Sequence, residues 1–182
     1  MLVKITPEQY DVVIELAYAT PNNFTGKPVY KKNDCYLNEE AAELLKKAVA
    51  LAKNMGYGIK IFDAYRPTEA QFKLWEHTPD PSFLANPYTG SPHSRGAAID
   101  LTLLDANGSE LDMGTAFDDF TPRSYHTATD ISAKAQANRK LLIGIMTVAG
   151  WDFYQNEWWH YQQFNPRAYK LLSDKEAGTG LI

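Results

Sequence analysis

From Ala97 to Leu103 the sequence alternates in character. Ile99, Leu101 and Leu103 fall on one side, Asp100 and Thr102 on the other. This period of two specifies a β-strand that must lay its apolar side on a core, so Asp100 points away from the core face. Just upstream, His93 precedes Gly96, and glycine lets the chain reverse there, so the side chains of His93 and Asp100 can converge despite their separation. A second stretch, Glu157-Trp158-Trp159-His160-Tyr161, leads into another expected strand. Together the two stretches offer two imidazoles and two carboxylates, and a fold that uses them must bring distant segments to one place.

The rest of the chain supplies a scaffold for that meeting. Asp11 to Ala19 alternates and reads as a half-buried strand, although Thr6-Pro7-Glu8-Gln9 also suits a helix start. Thr20 to Pro28 is a turn-rich loop. Asn38 to Met55 is a helix: Asn38 caps it, Glu39 and Glu40 suit its positive end, Leu44, Leu45, Ala48, Leu51 and Ala52 form its stripe, and Gly56 stops it. Tyr57 to Tyr65 is a strand that delivers Arg66. Pro67 then takes a first helical position, and a helix from Thr68 to about Glu76 carries Phe72 and Trp75. His77 to Gly90 is a loop. Asn107-Gly108 marks a hairpin tip, and the chain is irregular from there to Asp130. Ile131 to Ala149 is helical, with Asn138, Leu141, Leu142, Ile145, Met146 and Ala149 at helical spacing. Trp151 to Tyr154 and Trp158 to Phe164 are the last strands, and a short helix follows Asn165. This order favours an α+β fold: a single domain with a mainly antiparallel sheet flanked by helices.

Composition narrows the chemistry. The 182 residues, 45% of them hydrophobic, are enough for one domain with a real core. A net charge of -4 provides no basic field for nucleic acid. No window approaches the ~18 apolar residues of a membrane span, and Met1 to Leu16 lacks the pattern of a signal peptide. A cytoplasmic protein is expected; oligomeric state is not readable. Cys35 is the only cysteine, so any metal here is held by nitrogen and oxygen.

Two histidines and one carboxylate leave a fourth position open, as a catalytic zinc requires. His93, Asp100 and His160 are therefore the candidate ligands for one zinc ion (Zn2+). Zinc lowers the pKa of a bound water from ~15.7 to about 7, and Glu157, three residues before His160, is the candidate general base. Arg66, held ahead of a proline, suits a substrate carboxylate or an oxyanion; a surface ion pair with Asp63 is the alternative. Trp158 and Trp159 read as core. His77 and His126 read as solvent-facing or structural.

The pattern Ser-x-His-x-x-Gly-x-Ala-x-Asp, followed far downstream by Glu-x-Trp-His, resembles the D-alanyl-D-alanine dipeptidase family, which includes the vancomycin-resistance dipeptidase. YATPNNFTGKPVY, DAYRP, SPHSRGAAIDLTL, LDMGTAFDDF, NRKLLIGIM and EWWHY resemble family signatures in the same order, from Tyr18 to Tyr161. The resemblance implies a fold shared with other zinc peptidases that cut D-alanyl peptides and with the hedgehog signalling domain. It also implies zinc-dependent hydrolysis of D-Ala-D-Ala to two D-alanines. His93, Asp100 and His160 match its zinc ligands, Glu157 its catalytic base and Arg66 its transition-state arginine. Ser91 matches a serine near the substrate, and Tyr18 and Asp118 match residues that engage the dipeptide's amino group. The preference for D-residues comes from the resemblance alone.

Two features depart from the family pattern. Vancomycin-resistance members carry a longer insertion where this chain has only the His77 to Gly90 loop, which predicts a more open pocket. Pro92 stands before His93 where Ser or Asn is usual, removing a backbone donor. Three other readings stand beside the dipeptidase: a D,D-carboxypeptidase or peptidoglycan endopeptidase of the same fold, a ferrous oxygenase built on the same triad, and a zinc-stabilised binding module without activity.

Overall fold

The computed structural model describes residues Met1–Ile182. Strand β1 (Leu2–Ile5) leads into a one-turn helix, α1 (Pro7–Tyr10), where Thr6 Oγ1 accepts from Gln9 N. The expected strand over Asp11 to Ala19 shrinks to β2 (Val13–Ile14). Beyond it Leu16, Ala17 and Tyr18 are buried in succession, which a strand with one wet face cannot achieve. The chain instead coils into a 3-10 turn at Ala17–Ala19 that sends Tyr18 inward.

Strand β3 (Cys35–Asn38) runs straight into helix α2 (Glu39–Asn54). Asn38 caps that helix as its sequence suggests, accepting from Ala41 N at 2.8 Å. Strand β4 (Gly58–Asp63) and helix α3 (Thr68–His77) follow, with Pro67 as the cap of α3 rather than its first helical residue. Helix α3 buries Ala70, Gln71 and Leu74, while Phe72 and Trp75 are only half-buried. Strand β5 (Ala98–Leu104) is buried along its whole length. Helix α4 (Ala133–Ala149) begins two residues later than the expected Ile131, at a Ser132 cap whose side chain accepts from Ala135 N, and ends at Ala149 as expected, with Gly150 as its C-cap. Its inner face includes Arg139, which donates to the carbonyls of Met113 and Tyr125 and so ties down the irregular stretch between them. Strands β6 (Asp152–Phe153) and β7 (His160–Gln162) are shorter than the pattern implied, and α5 (Asp174–Ala177) is the short tail helix. The shortening has a physical reason. Trp158 and Trp159 are both buried in the turn that leads into β7, and Trp158 Nε1 donates to Thr115 Oγ1 at 2.8 Å.

The main sheet has the order β2-β4-β5-β7-β6, antiparallel except for β2 beside β4, and β1 pairs with β3 separately. The α+β class is thus present with one parallel pair. Ile59, Ile61, Ile99, Leu101 and Leu103 share one core cluster with Leu45 of α2 and Leu142 and Met146 of α4. Asp100 lies on the opposite side of β5, as the alternation requires, but that side is also buried, because loops cover it.

Three local features aim side chains at this second face. Asp100 stands directly opposite His160 across β5 and β7, which places both side chains on the same face. A bulge between Ile61 and Asp63 sets Asp63, instead of Phe62, against Asp100. His93 begins a 3-10 turn closed by Gly96 at φ 62°. A Cβ at Gly96 would sit 2.5 Å from Leu2 Cδ2 and 2.9 Å from the backbone N of Asn38. That neighbour is backbone, whose N–H donates to the Gly96 carbonyl, and has little room to give.

Gly96→Ala and Gly108→Ala separate conformational strain from crowding. Gly108, at the hairpin tip, also has positive φ (78°) but open space around it. Gly108→Ala is expected to cost about 1–2 kcal/mol. Gly96→Ala adds overpacking of about 1–3 kcal/mol. Denaturant unfolding checks this; equal losses would show that the close approach to Asn38 is not a constraint.

Candidate active site

The second face of the sheet opens into a cavity of about 200 Å³, smaller than the ~300–1,000 Å³ typical of sites for drug-sized ligands. Tyr18, Arg66, Ser91, His93, Asp100, Asp118, Glu157 and His160 all line it. Every site residue expected from the sequence is therefore in one place. His77 and His126 are elsewhere: His77 is exposed beside Phe24, and His126 packs edge-on to Phe153 and Tyr161.

At the centre, His93 Nε2 lies 3.1 Å from His160 Nδ1 and 3.4 Å from Asp100 Oδ2, and His160 Nδ1 lies 3.1 Å from Asp100 Oδ1. The outer nitrogens decide what these atoms are. His93 Nδ1 sits 2.7 Å from the Ala64 carbonyl, and His160 Nε2 sits 3.1 Å from Gln162 Oε1. Both neighbours are acceptors, so each imidazole donates outward and turns a lone pair inward. Two nitrogen lone pairs and a carboxylate then face one another in a buried space, a set that repels itself unless a cation sits between them. One ligand atom from each residue lies within 4.8 Å of the other two, so the three can hold one metal ion. The outward bonds to Ala64 and Gln162 fix ring orientation as partners of metal-binding histidines do.

Glu157 occupies the turn before β7, its Oε2 3.8 Å from His160 Nδ1. Burial, and then the charges of Asp100 and Asp118, push its carboxyl well above the ordinary range. Arg66 is almost fully buried, so the pair with Asp63 expected at the surface lies inside. Its Nε and Nη2 each reach Asp63 Oδ2 at 2.8 Å, and Nη1 donates to Gln71 Oε1 at 2.8 Å. Tyr30 OH donates to the other Asp63 oxygen. A guanidinium has five N–H donors, so two are left free on a group that lines the cavity. The Arg66 guanidinium also lies 5.0 Å from the Tyr18 ring centre.

The far wall carries Tyr18 and Asp118. Tyr18 OH donates to Asp118 Oδ2 at 3.0 Å, and Asp118 adopts a left-handed backbone, φ 59°. Burial, followed by the charge of Asp100, holds the Asp118 carboxyl well above its usual range; burial and Asp118 do the same for the Tyr18 phenol. Ser91 Oγ accepts from His93 N at 3.2 Å. Arg66 is the only lysine or arginine among the lining residues, set against three carboxyls, so the cavity favours cationic groups.

Pro81, Phe83, Leu84 and Ala85 form part of the cavity wall, and Tyr154 faces them from the β6–β7 turn. Sequence reasoning missed Gln162, Tyr154 and Gln71. Gln162 had a signal, since residues two apart on a strand share a face and His160 is one of them.

A buried two-imidazole, one-carboxylate centre with an adjacent carboxyl and an arginine defines a metallopeptidase. Comparison with known proteins places it further. The D-ala-D-ala dipeptidase family model matches residues 2–174, and this chain belongs to that family. It is 43% identical to the D-alanyl-D-alanine dipeptidase of Escherichia coli strain K12, over 91% of this chain and 86% of that one. It is 41% identical to the D-alanyl-D-alanine dipeptidase of Enterococcus faecium, over 79% and 82% of the two chains. A solved structure, VanYB in complex with D-Alanine-D-Alanine, superposes with a TM-score of 0.48 at 17% identity, covering 89% of this chain and 82% of that one.

Replacing Gln162 with Leu removes the acceptor that orients His160. Metal affinity is expected to fall about 10–100-fold, read by competition with a chromogenic chelator. Unchanged affinity would show that His160 is not held for a metal through this bond.

Proposed function

We propose that the chain is a zinc dipeptidase that hydrolyses D-Ala-D-Ala to two D-alanines, with its 182 residues acting as one domain. The observation that carries this reading is the inward convergence of two imidazole lone pairs and Asp100 beside Glu157. The kinship with D-alanyl-D-alanine dipeptidases supplies the substrate. His93, Asp100 and His160 would hold the zinc ion. When bound, zinc supplies Lewis-acid chemistry, polarising a carbonyl and bringing the pKa of water from ~15.7 to about 7.

The remaining work falls to the chain's own side chains. Glu157 takes a proton from the attacking water as its oxygen bonds to the carbonyl carbon. As the C–N bond breaks, Glu157 passes that proton to the departing nitrogen, and the second proton of the water follows from the new carboxyl group, leaving a carboxylate and an ammonium. The two free N–H groups of Arg66 donate to the oxygen that gains negative charge, from a guanidinium already fixed by Asp63 and Gln71. Asp118, steadied by Tyr18, receives the substrate's free ammonium group. Ser91 lines the approach and holds the His93 backbone. An ammonium anchored on the far wall of a small cavity limits cleavage to short peptides.

Glu157→Ala is expected to lower kcat by at least ~10²–10⁴ while bound zinc stays near one per chain. Loss of zinc together with activity would instead make Glu157 a ligand. Asp118→Ala is expected to raise KM for D-Ala-D-Ala, with the N-acetylated dipeptide still refused; an unchanged KM removes the ammonium-anchor role. Release of D-alanine from D-Ala-D-Ala, compared with L-Ala-L-Ala and a D-Ala-terminated tripeptide, tests the reading as a whole, with metal content measured on the same sample. Preference for the tripeptide would point to a D,D-carboxypeptidase of the same fold.

A further inference from the structure

The side chain of Gln71 is buried on α3 and makes two bonds in opposite directions. Its Oε1 accepts from Arg66 Nη1 at 2.8 Å, and its Nε2 donates to the Ala85 carbonyl at 2.6 Å. Arginine can only donate and a carbonyl can only accept, so the amide has one possible orientation. Ala85 ends the short loop segment that walls the cavity. The other end of that segment is held at the Ser82 carbonyl, which accepts from Tyr154 OH at 3.0 Å and Asn156 Nδ2 at 3.2 Å. Between the two clamps Phe83 stacks on Phe120, ring centres 5.0 Å apart, two residues beyond Asp118. The wall is therefore strapped at both ends, and one strap is also the third anchor of the guanidinium.

We infer that Gln71 is a positioning residue that yokes the 81–85 wall to Arg66, so that selection for peptide length and the aim of the guanidinium are set through one amide. This rests on the dipeptidase reading, in which Arg66 faces the reacting carbonyl and the wall limits the substrate. Without the Nε2 bond the wall swings away from α3 and longer peptides enter. Without the Oε1 bond the guanidinium keeps Asp63 but loses its third anchor and can rotate away from the reacting oxygen.

Two substitutions separate the halves. Gln71→Glu keeps an acceptor for Arg66 but has no donor for Ala85 O; Gln71→Met has a similar shape and offers neither. With metal-loaded enzyme, Gln71→Glu is expected to raise KM for D-Ala-D-Ala roughly three- to tenfold, with kcat nearly kept. The ratio of tripeptide to dipeptide cleavage is expected to rise. Gln71→Met is expected to add a loss in kcat of similar size. Without substrate, amide exchange over residues 82–86 is expected to quicken in both variants, and the Arg66 Nε–H resonance to shift only in Gln71→Met. Equal losses in the two variants with an unchanged peptide ratio would reduce Gln71 to a packing role and overturn the inference, as would native exchange across the loop. If the native enzyme fails to cleave D-Ala-D-Ala, the dipeptidase reading falls, and the exchange and resonance measurements still decide for or against the yoke.

Discussion

The structure turns on three acceptor atoms forced to face one another in a buried space. His93 Nε2, His160 Nδ1 and the Asp100 carboxylate lie 3.1–3.4 Å apart, and the outer nitrogens of both rings are already committed as donors. In a low-dielectric surrounding such a set is costly without a positive charge at its centre. Much of the nearby architecture maintains it: the β5–β7 register that sets Asp100 against His160, the Gly96 turn pressed against Asn38, and the bulge that brings Asp63 beneath Arg66.

Around this centre, charge is separated by role. Asp63 is spent on Arg66 and Tyr30 and is unavailable to a ligand. Asp118 and Glu157 stay on the cavity wall, where burial and then the charge of Asp100 make each carboxyl hold a proton more readily than in water. One carboxyl sits beside His160 and the other across the cavity beside Tyr18. That division suits two tasks on one small substrate, proton transfer at the bond being cut and recognition of an ammonium group away from it.

Where a residue's neighbours in sequence are also its neighbours in space, the sequence was readable. The cap of α2, the alternation of β5 and the Asn107-Gly108 turn are local features, and each is found where its pattern placed it. Features decided by tertiary packing were not readable. Tyr18 alternates like a strand residue, yet a 3-10 turn buries it. Arg66 is a candidate from its place ahead of Pro67, but nothing local shows that Asp63 and Gln71 enclose it. Tyr18, Ser91 and Asp118 were found through family resemblance, since a loop serine and an acidic turn carry no chemical signature of their own. Gln71 lies three residues before Leu74 on the buried stripe of α3. A polar side chain at such a position must find buried partners, which was the one available hint.

X-ray absorption at the zinc edge, on protein purified with its metal, addresses the centre most directly. The expected spectrum has two imidazole nitrogens and further oxygen ligands at about 2.0–2.2 Å and no sulfur shell. Cys35 is buried outside the cavity and has no part in it. A sulfur shell near ~2.3 Å, or a single imidazole, would contradict the proposed centre and the hydrolytic chemistry built on it.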